Sequence, residues 1–132
     1  LNNSINSTCS CAKRGHNRHW DNRVGTEHCG RCMPCLYRRV ALNKTNNDNE
    51  LYGVDIFNTN DEKLKQQDLL AFFDYLKNNL SIEDIEKNLL VNGSLPLEKL
   101  RDYAMVIDRT RSEIKEWIRQ KGNSNIKGKV GL

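Results

Sequence analysis

Three cysteines at a repeated spacing are the residues of this chain best suited to chemistry. Their segment reads Cys29-Gly30-Arg31-Cys32-Met33-Pro34-Cys35, with two successive Cys-x2-Cys spacings. A tight turn with this spacing lets sulfur atoms converge at about 2.3 Å from one metal ion, and Gly30 relieves the backbone crowding of such a turn. Cys35 is expected in the first turn of a helix, whose N-terminal dipole favours a thiolate. The segment therefore predicts a metal site with three thiolate ligands.

A tetrahedral ion needs a fourth ligand, which we expect from the segment that precedes these cysteines. Five side chains there can bind a metal: Cys9, Cys11, His16, His19 and His28. Spacing alone leaves the choice among them open.

Zinc is the metal that this pattern favours. An iron–sulfur cluster also uses four cysteines, and the segment partly resembles the bacterial ferredoxin motif. That motif continues with a fourth nearby cysteine followed by proline, which is missing from this sequence. The odd total of five cysteines argues against a disulfide framework. The deaminase pattern, His-x-Glu followed by Pro-Cys-x2-Cys, is not met. We expect a closed structural site; a catalytic site completed by His28 and Glu27 is the alternative.

Charge is concentrated around the cysteines. The chain has a net charge of +4, which divides into +6 for residues 1–45 and −2 for residues 46–132. Solvated surface is the plain interpretation, and a groove for phosphate or nucleic acid is the alternative. The contact loop of that groove would comprise Arg14, His16, Arg18, His19 and Trp20. The alternative for these residues is a polar loop whose Trp20 packs into a core.

The composition indicates a chain that gains from a metal cross-link. Of its 132 residues 37% are hydrophobic, and the mean hydropathy is −0.75. No run approaches the ~18 apolar residues of a membrane span, and the first residues lack the features of a signal peptide. We expect a cytoplasmic protein and, since no initiator Met is present, an internal or C-terminal fragment of a longer one.

The elements that must position the cysteines are predicted to be mostly α-helical. We expect a loop-rich zinc-binding segment (1–45), a linker (46–60), a small helical bundle (61–121) and a flexible tail (122–132). Within 51–57, Tyr, Val and Phe side chains are expected to dock on the helices.

Capping signals predict where the helices begin and end. Pro34 suits the first position of a helix that starts at the last cysteines. Thr59 and Glu62, and then Ser81 and Asp84, have capping-box spacing. The second of these helices should end at Gly93, and Pro96 should open a longer one that ends at Gly122. Arg111 interrupts the near-heptad pattern of that long helix, which favours an intramolecular bundle over a free coiled coil.

The cysteine motif also resembles a known C-terminal signature. Thr8-Cys9, followed by Cys29-Gly30-Arg31-Cys32-Met33-Pro34-Cys35 and Arg38, resembles the zinc region of the 7-cyano-7-deazaguanine synthase family, the QueC-like PP-loop ATPases of queuosine-related chemistry. The resemblance spans residues 8–41 and is nearest to divergent versions in bacterial antiphage defence systems. It implies that Cys9, Cys29, Cys32 and Cys35 bind zinc and that Cys11 is spare. It also implies that Arg38 and Arg39 face an active site or a neighbouring domain; the alternative is that they lie on the helix surface and shield the zinc thiolates.

Three functions follow as expectations. The first is a zinc-stabilised C-terminal domain of a QueC-like ATP-dependent enzyme. The ATP-binding loop Ser-Gly-Gly-x-Asp-Ser is absent from this sequence, so ATP and catalytic residues would belong to an N-terminal PP-loop domain outside it. The second is a nucleic-acid-binding zinc module, and the third is a domain that docks on other protein subunits of a defence complex.

Overall fold

The fold is described by a computed structural model, which covers residues 4, 5, 7–59, 61–93 and 95–132. These residues are mostly helical, as predicted: a loop-rich N-terminal segment is followed by a helical bundle. Six α-helices have both ends within this described part: α1 (Met33–Lys44), α2 (Asp61–Leu64), α3 (Gln67–Lys77), α4 (Ile82–Asn92), α5 (Leu100–Lys121) and α6 (Ser124–Lys129). Two short 3-10 turns lie at Asn17–His19 and Leu97–Lys99.

Most of the predicted helix ends are confirmed. Pro34 lies in the first turn of α1. Ser81 and Asp84 form a complete capping box at α4, in which the Asp84 amide donates to Ser81 Oγ at 3.1 Å and the Ser81 amide donates to Asp84 Oδ2 at 3.0 Å. Gly93 and Gly122 follow the ends of α4 and α5.

One predicted helix is divided in two. The signal at Thr59 and Glu62 suggested a continuous helix, whereas α2 ends at Leu64 and α3 begins at Gln67. Leu64 and Leu69 are both buried. In a continuous helix their side chains, five residues apart, would point in directions about 140° apart around the helix axis. The break allows both side chains to enter one core.

The larger of two buried clusters joins α1, the helix that carries Cys35, to the helical bundle. α1, α3, α5 and α6 all contribute side chains to it, as does the segment between α1 and α2. Its largest fully buried members are Leu36, Ile56, Leu64, Leu69, Phe72, Leu76, Ile114, Trp117, Ile118, Ile126 and Val130.

The predicted linker is an integral part of this core. Tyr52, Val54, Ile56 and Phe57 are buried, which confirms the expectation that this segment docks its apolar side chains. The amides of Gly53 and Val54 donate to the carbonyls of the two residues at 28 and 29, at 2.8 and 3.0 Å. The segment is thereby fixed against the loop that carries the cysteines.

The predicted flexible tail differs from the structure, in which residues 124–129 form α6. Asn123 caps this helix, since its side chain accepts from the Ile126 amide at 3.0 Å and donates to the carbonyl of Phe57 at 2.8 Å. Ile126 and Val130 are almost completely buried. The Gly- and Lys-rich composition concealed two apolar residues four positions apart, which is the spacing of one helix face.

Arg111 is buried in α5 although it carries a charge. Its guanidinium donates to the carbonyl of Tyr75 at 2.8 Å and to the carbonyl of Asn78, and it lies 4.4 Å from the centre of the Tyr75 ring. Both carbonyls belong to the end of α3, where backbone acceptors lack partners within the helix. The residue that interrupts the heptad pattern therefore joins two helices. No helix among the described residues is long and apolar enough to cross a membrane.

Candidate metal site

Four cysteine side chains converge at the N-terminal end of α1. The sulfur atoms of Cys11, Cys29, Cys32 and Cys35 all lie within 4.8 Å of one another, and those of Cys29 and Cys35 are 3.8 Å apart. All five cysteines of the chain are free thiols in the structure. The group offers four sulfur ligands to one point in space.

The local backbone explains how the three closely spaced cysteines reach that point. Cys32 is at the N-cap position of α1 and Cys35 lies in its first turn, where the helix dipole favours negative charge. Gly30 occupies the turn before them with φ of 77°, and a Cβ there would come within 2.2 Å of the Val54 carbonyl oxygen. Both the positive φ and the nearby carbonyl oxygen therefore require glycine at this position.

Backbone amides point at the sulfur atoms. The amides of Cys29 and Lys13 donate to Cys11 Sγ at 3.3 and 3.4 Å. The amides of Arg31 and Cys32 donate to Cys29 Sγ at 3.5 and 3.3 Å. Such hydrogen bonds stabilise thiolates and orient them as ligands.

The proximity of the sulfurs strongly perturbs their proton affinities. Hydrogen bonding with Cys32 raises the pKa of the Cys29 thiol to about 11. Hydrogen bonds with Cys29 and Cys35 lower the pKa of Cys32, and hydrogen bonds with the same neighbours raise the pKa of Cys35. Thiols this close ionise together only when a cation neutralises their charge, so the arrangement is suited to a divalent metal ion.

The site is shielded on one side by Trp20. Its indole is buried against the three cysteines of the turn, and Cys11 lies at the edge of the same cluster. The indole can lie this close to the backbone only because residue 53 is glycine: a Cβ there would come within 2.3 Å of the ring. The amides of Asp21 and Asn22 donate to the Gly53 carbonyl at 2.7 and 3.1 Å, which holds the loop in place.

The structure brings together Cys29, Cys32 and Cys35, three of the four ligands that the family resemblance implied. The fourth sulfur of the group belongs to Cys11, whereas the resemblance implied Cys9. Cys9 is exposed and lies outside the group; its thiol is directed at the Glu27 carbonyl, 4.0 Å away. Cys9 and Cys11 are two positions apart in a loop, so sequence spacing alone did not separate them. Two further candidates, His16 and His19, are exposed and also lie outside the group.

His28 is buried beside the site and engaged in a different network. Its Nδ1 is 3.0 Å from Glu50 Oε2, and its Nε2 accepts from the Ser10 amide at 3.4 Å. Burial is the main cause that lowers the pKa of His28, which favours the neutral imidazole. With both ring nitrogens occupied, His28 positions the loop and does not contribute a ligand.

Arg38 links this network to the start of the chain. Its guanidinium pairs with Glu50, donates to Thr8 Oγ1 at 2.9 Å and donates to the Ile5 carbonyl at 2.7 Å. The hydrogen bond with Glu50 raises the pKa of Arg38, which keeps the charge fixed. Sequence reasoning did not identify Glu50, because its two partners lie 12 and 22 positions away.

Arg39, the next residue of α1, is buried in a second set of contacts. It pairs with Asp55 at 3.0 Å, and its guanidinium lies 4.4 Å from the centre of the Tyr52 ring. The rings of Phe57 and Trp117 flank it at 5.3 and 5.4 Å. Both arginines thus make intramolecular contacts that hold α1 against the segment that follows it.

Comparison with known proteins yields no relative for this chain. No family model, no curated protein and no solved structure matches it. The function must therefore be argued from the site itself.

Proposed function

We propose that this chain is a structural zinc module in which Cys11, Cys29, Cys32 and Cys35 bind one Zn²⁺ ion. The convergence of the four sulfurs carries the proposal. Four sulfurs at about 2.3 Å from one tetrahedral ion are about 3.8 Å apart, and the Cys29 and Cys35 sulfurs are 3.8 Å apart. An iron–sulfur cluster holds its cysteines around several iron atoms and so needs a wider separation, which favours a single ion.

The donor set supports a structural role for the metal. A catalytic zinc keeps a coordination position for water and a base beside it. Here four thiolates complete the tetrahedron, and the nearest imidazole, that of His28, is engaged on both nitrogens. The ion would connect the loop of Cys11 to the turn before α1 and to α1 itself, whose Leu36 and Val40 enter the core.

The ligand set is tested by a matched pair of variants. Cys11→Ser removes a proposed ligand, whereas Cys9→Ser changes an exposed thiol two positions away. We expect about one zinc per chain by elemental analysis in the wild type and in Cys9→Ser, and a zinc affinity at least ~10-fold lower in Cys11→Ser. Loss of zinc from Cys9→Ser with retention in Cys11→Ser would support the ligand set of the family resemblance instead.

The parent of this module is proposed to be a QueC-like ATP-dependent enzyme. A contact between the two parts of the resembling motif supports this: Arg38 donates to Thr8 Oγ1 at 2.9 Å, so the Thr-Cys dipeptide contacts the helix that carries Cys35, although Cys9 itself lies outside the sulfur group. On this proposal the nucleotide is bound by a PP-loop domain and zinc keeps the present segment in shape beside it. Calorimetric titration of the zinc-loaded chain with Mg-ATP should then give no binding, and a Kd below ~1 mM would contradict this division.

A nucleic-acid-binding role is the second candidate, favoured by the loop before the cysteines. Arg18, Arg23, His16 and His19 are exposed there. Lys13 and Arg14, by contrast, are paired with carboxylates at 2.8 and 2.5 Å.

Salt dependence tests this second role. Binding of a single-stranded oligonucleotide should weaken steeply as salt rises, and the double variant Arg18→Ala/Arg23→Ala should reduce that slope by about two. Lys87→Ala on the exposed surface of α4 is the matched control. Absence of binding at low salt removes this candidate and leaves the zinc site unaffected.

A further inference from the structure

The N-terminal half of α5 presents a face that the rest of the chain leaves uncovered. Met105 and Val106 lie in its middle and are 56% and 50% exposed. Together with Ile82 of α4 they form the floor of an open groove of about 610 Å³. The described residues of the bundle cover only the opposite face of this half, where Ala104 is fully buried.

Charges flank the apolar pair symmetrically. Asp102 lies one turn before it and Arg109 one turn after it, and both line the groove. The four positions 102, 105, 106 and 109 have i, i+3, i+4, i+7 spacing and share one side of the helix. The two charged residues are seven positions apart, or about 10.5 Å along the axis.

The close contacts of the described residues leave both charges unpaired, although Arg109 still interacts with the charge of Glu113 at longer range. Asp102 and Arg109 form no hydrogen bond or ion pair with the described residues, whereas their neighbour Arg101 is engaged with Glu83 and Glu86 of α4 at 3.7 and 3.5 Å. The next acidic residue along the face, Glu113, pairs with Lys44 at 2.5 Å. On this i, i+3, i+4, i+7 side the unpaired charges are therefore one acid and one base at equal distances from its centre, whereas Asp108, which also lines the groove, lies off that side of the helix.

We infer that this face is the interface of a symmetric dimer between two copies of the chain. A two-fold axis between Met105 and Val106, perpendicular to α5, makes the two α5 helices antiparallel. It places Asp102 of each copy opposite Arg109 of the other, and Met105 of each copy opposite Val106 of the other. An isologous interface requires such self-complementarity, and a binding face for an unrelated partner does not.

The size of the face sets the strength of the association. Two turns of α5 from each copy, with Ile82 beside them, place the contact at the low end of protein interfaces, below about 1,200 Å² in total. The apolar pair contributes burial, and the exposed ion pairs contribute register and orientation more than affinity. The dimer should therefore form reversibly at micromolar concentrations.

Charge exchange tests this arrangement, because its outcome depends on the pairing. Asp102→Arg places like charges opposite each other in the homodimer, as does Arg109→Asp, so each variant alone should raise the dimer Kd at least ~10-fold. An equimolar mixture of the two variants restores opposite charges at both contacts and should recover association as a heterodimer. The double variant Asp102→Arg/Arg109→Asp should recover the homodimer.

Sedimentation velocity over a range of concentrations measures these equilibria, with circular dichroism to verify folding. Arg119→Asp, an exposed charge change in the other half of α5, is the matched control and should dimerise like the wild type. A wild type that stays monomeric up to several hundred micromolar overturns the inference and leaves the face to a different partner. It is equally overturned by a dimer that survives both single variants, or by a mixture of variants that fails to associate.

Discussion

Arg111 provides the sharpest prediction about stability, because a buried charge must be matched by its surroundings. The guanidinium donates to two carbonyls at the end of α3 and contacts the Tyr75 ring. Arg111→Met keeps the length of the side chain and removes every donor. It leaves the carbonyls of Tyr75 and Asn78 without this partner.

The expected cost follows from these contacts. A hydrogen bond to a charged donor contributes ~1.5–3 kcal/mol, and the contact with the ring adds at least ~0.5 kcal/mol. Asn78 is exposed, so water can replace the lost donor at its carbonyl and only the bond to Tyr75 is lost in full. We expect the free energy of unfolding to fall by about 3 kcal/mol, a large part of the stability of a domain of this size.

Urea denaturation followed by circular dichroism, with zinc in constant excess, measures this change. Arg111→Lys retains the charge and can satisfy one carbonyl, so its cost should be about half that of Arg111→Met. Arg119→Met, exposed on the same helix and paired only with Glu116 at the surface, should change stability by less than ~0.5 kcal/mol. The reasoning is refuted if Arg111→Met lies within ~1 kcal/mol of the wild type.

Two further predictions concern the turn and the C-terminal helix. Gly30→Ala combines a positive φ with a Cβ that would collide with the Val54 carbonyl. We therefore expect the free energy of unfolding to fall by more than ~1 kcal/mol and zinc to be lost more easily to a chelator. Gly15→Ala, where a Cβ meets only open space among the described residues, should change neither quantity, and equal effects of the two variants would contradict the argument. Val130→Asp places a carboxylate in the core and should cost roughly 3 kcal/mol in urea denaturation. Leu132→Asp at the exposed end should cost almost nothing, and a tolerated Val130→Asp would mean that α6 does not dock.

The cysteine run shows how far local spacing can predict a site. Cys29, Cys32 and Cys35 lie within seven residues, so the geometry of one turn and one helix start brings their sulfurs together. The choice between Cys9 and Cys11 depends on the path of the loop between residues 12 and 28. That path is set by distant contacts, such as the seating of Trp20 against Gly53, and no local pattern encodes them.

The helical region illustrates the same limit. Ser81 and Asp84 encode their capping box within four residues, and the structure contains it as predicted. The break after Leu64 and the docking of Val130 depend on which side chains the core accepts, which is a property of the packed bundle. Arg111 was recognised as an interruption of the pattern, but its partners in α3 are more than 30 positions away.

α5 connects the two parts of the molecule to which function is assigned. Its C-terminal half carries Trp117, whose ring packs against that of Phe57 in a tilted arrangement with 4.8 Å between ring centres. The Trp117 ring also lies beside Arg39 of α1, the helix that begins at the proposed zinc ligands. Its N-terminal half packs on α4 and carries the uncovered face around Met105. Arg111 lies between the halves and fixes the helix to α3. Because that anchor does not involve the cysteines, the face can keep its geometry when the metal ligands are changed, and the zinc site and the dimer can be tested independently of each other.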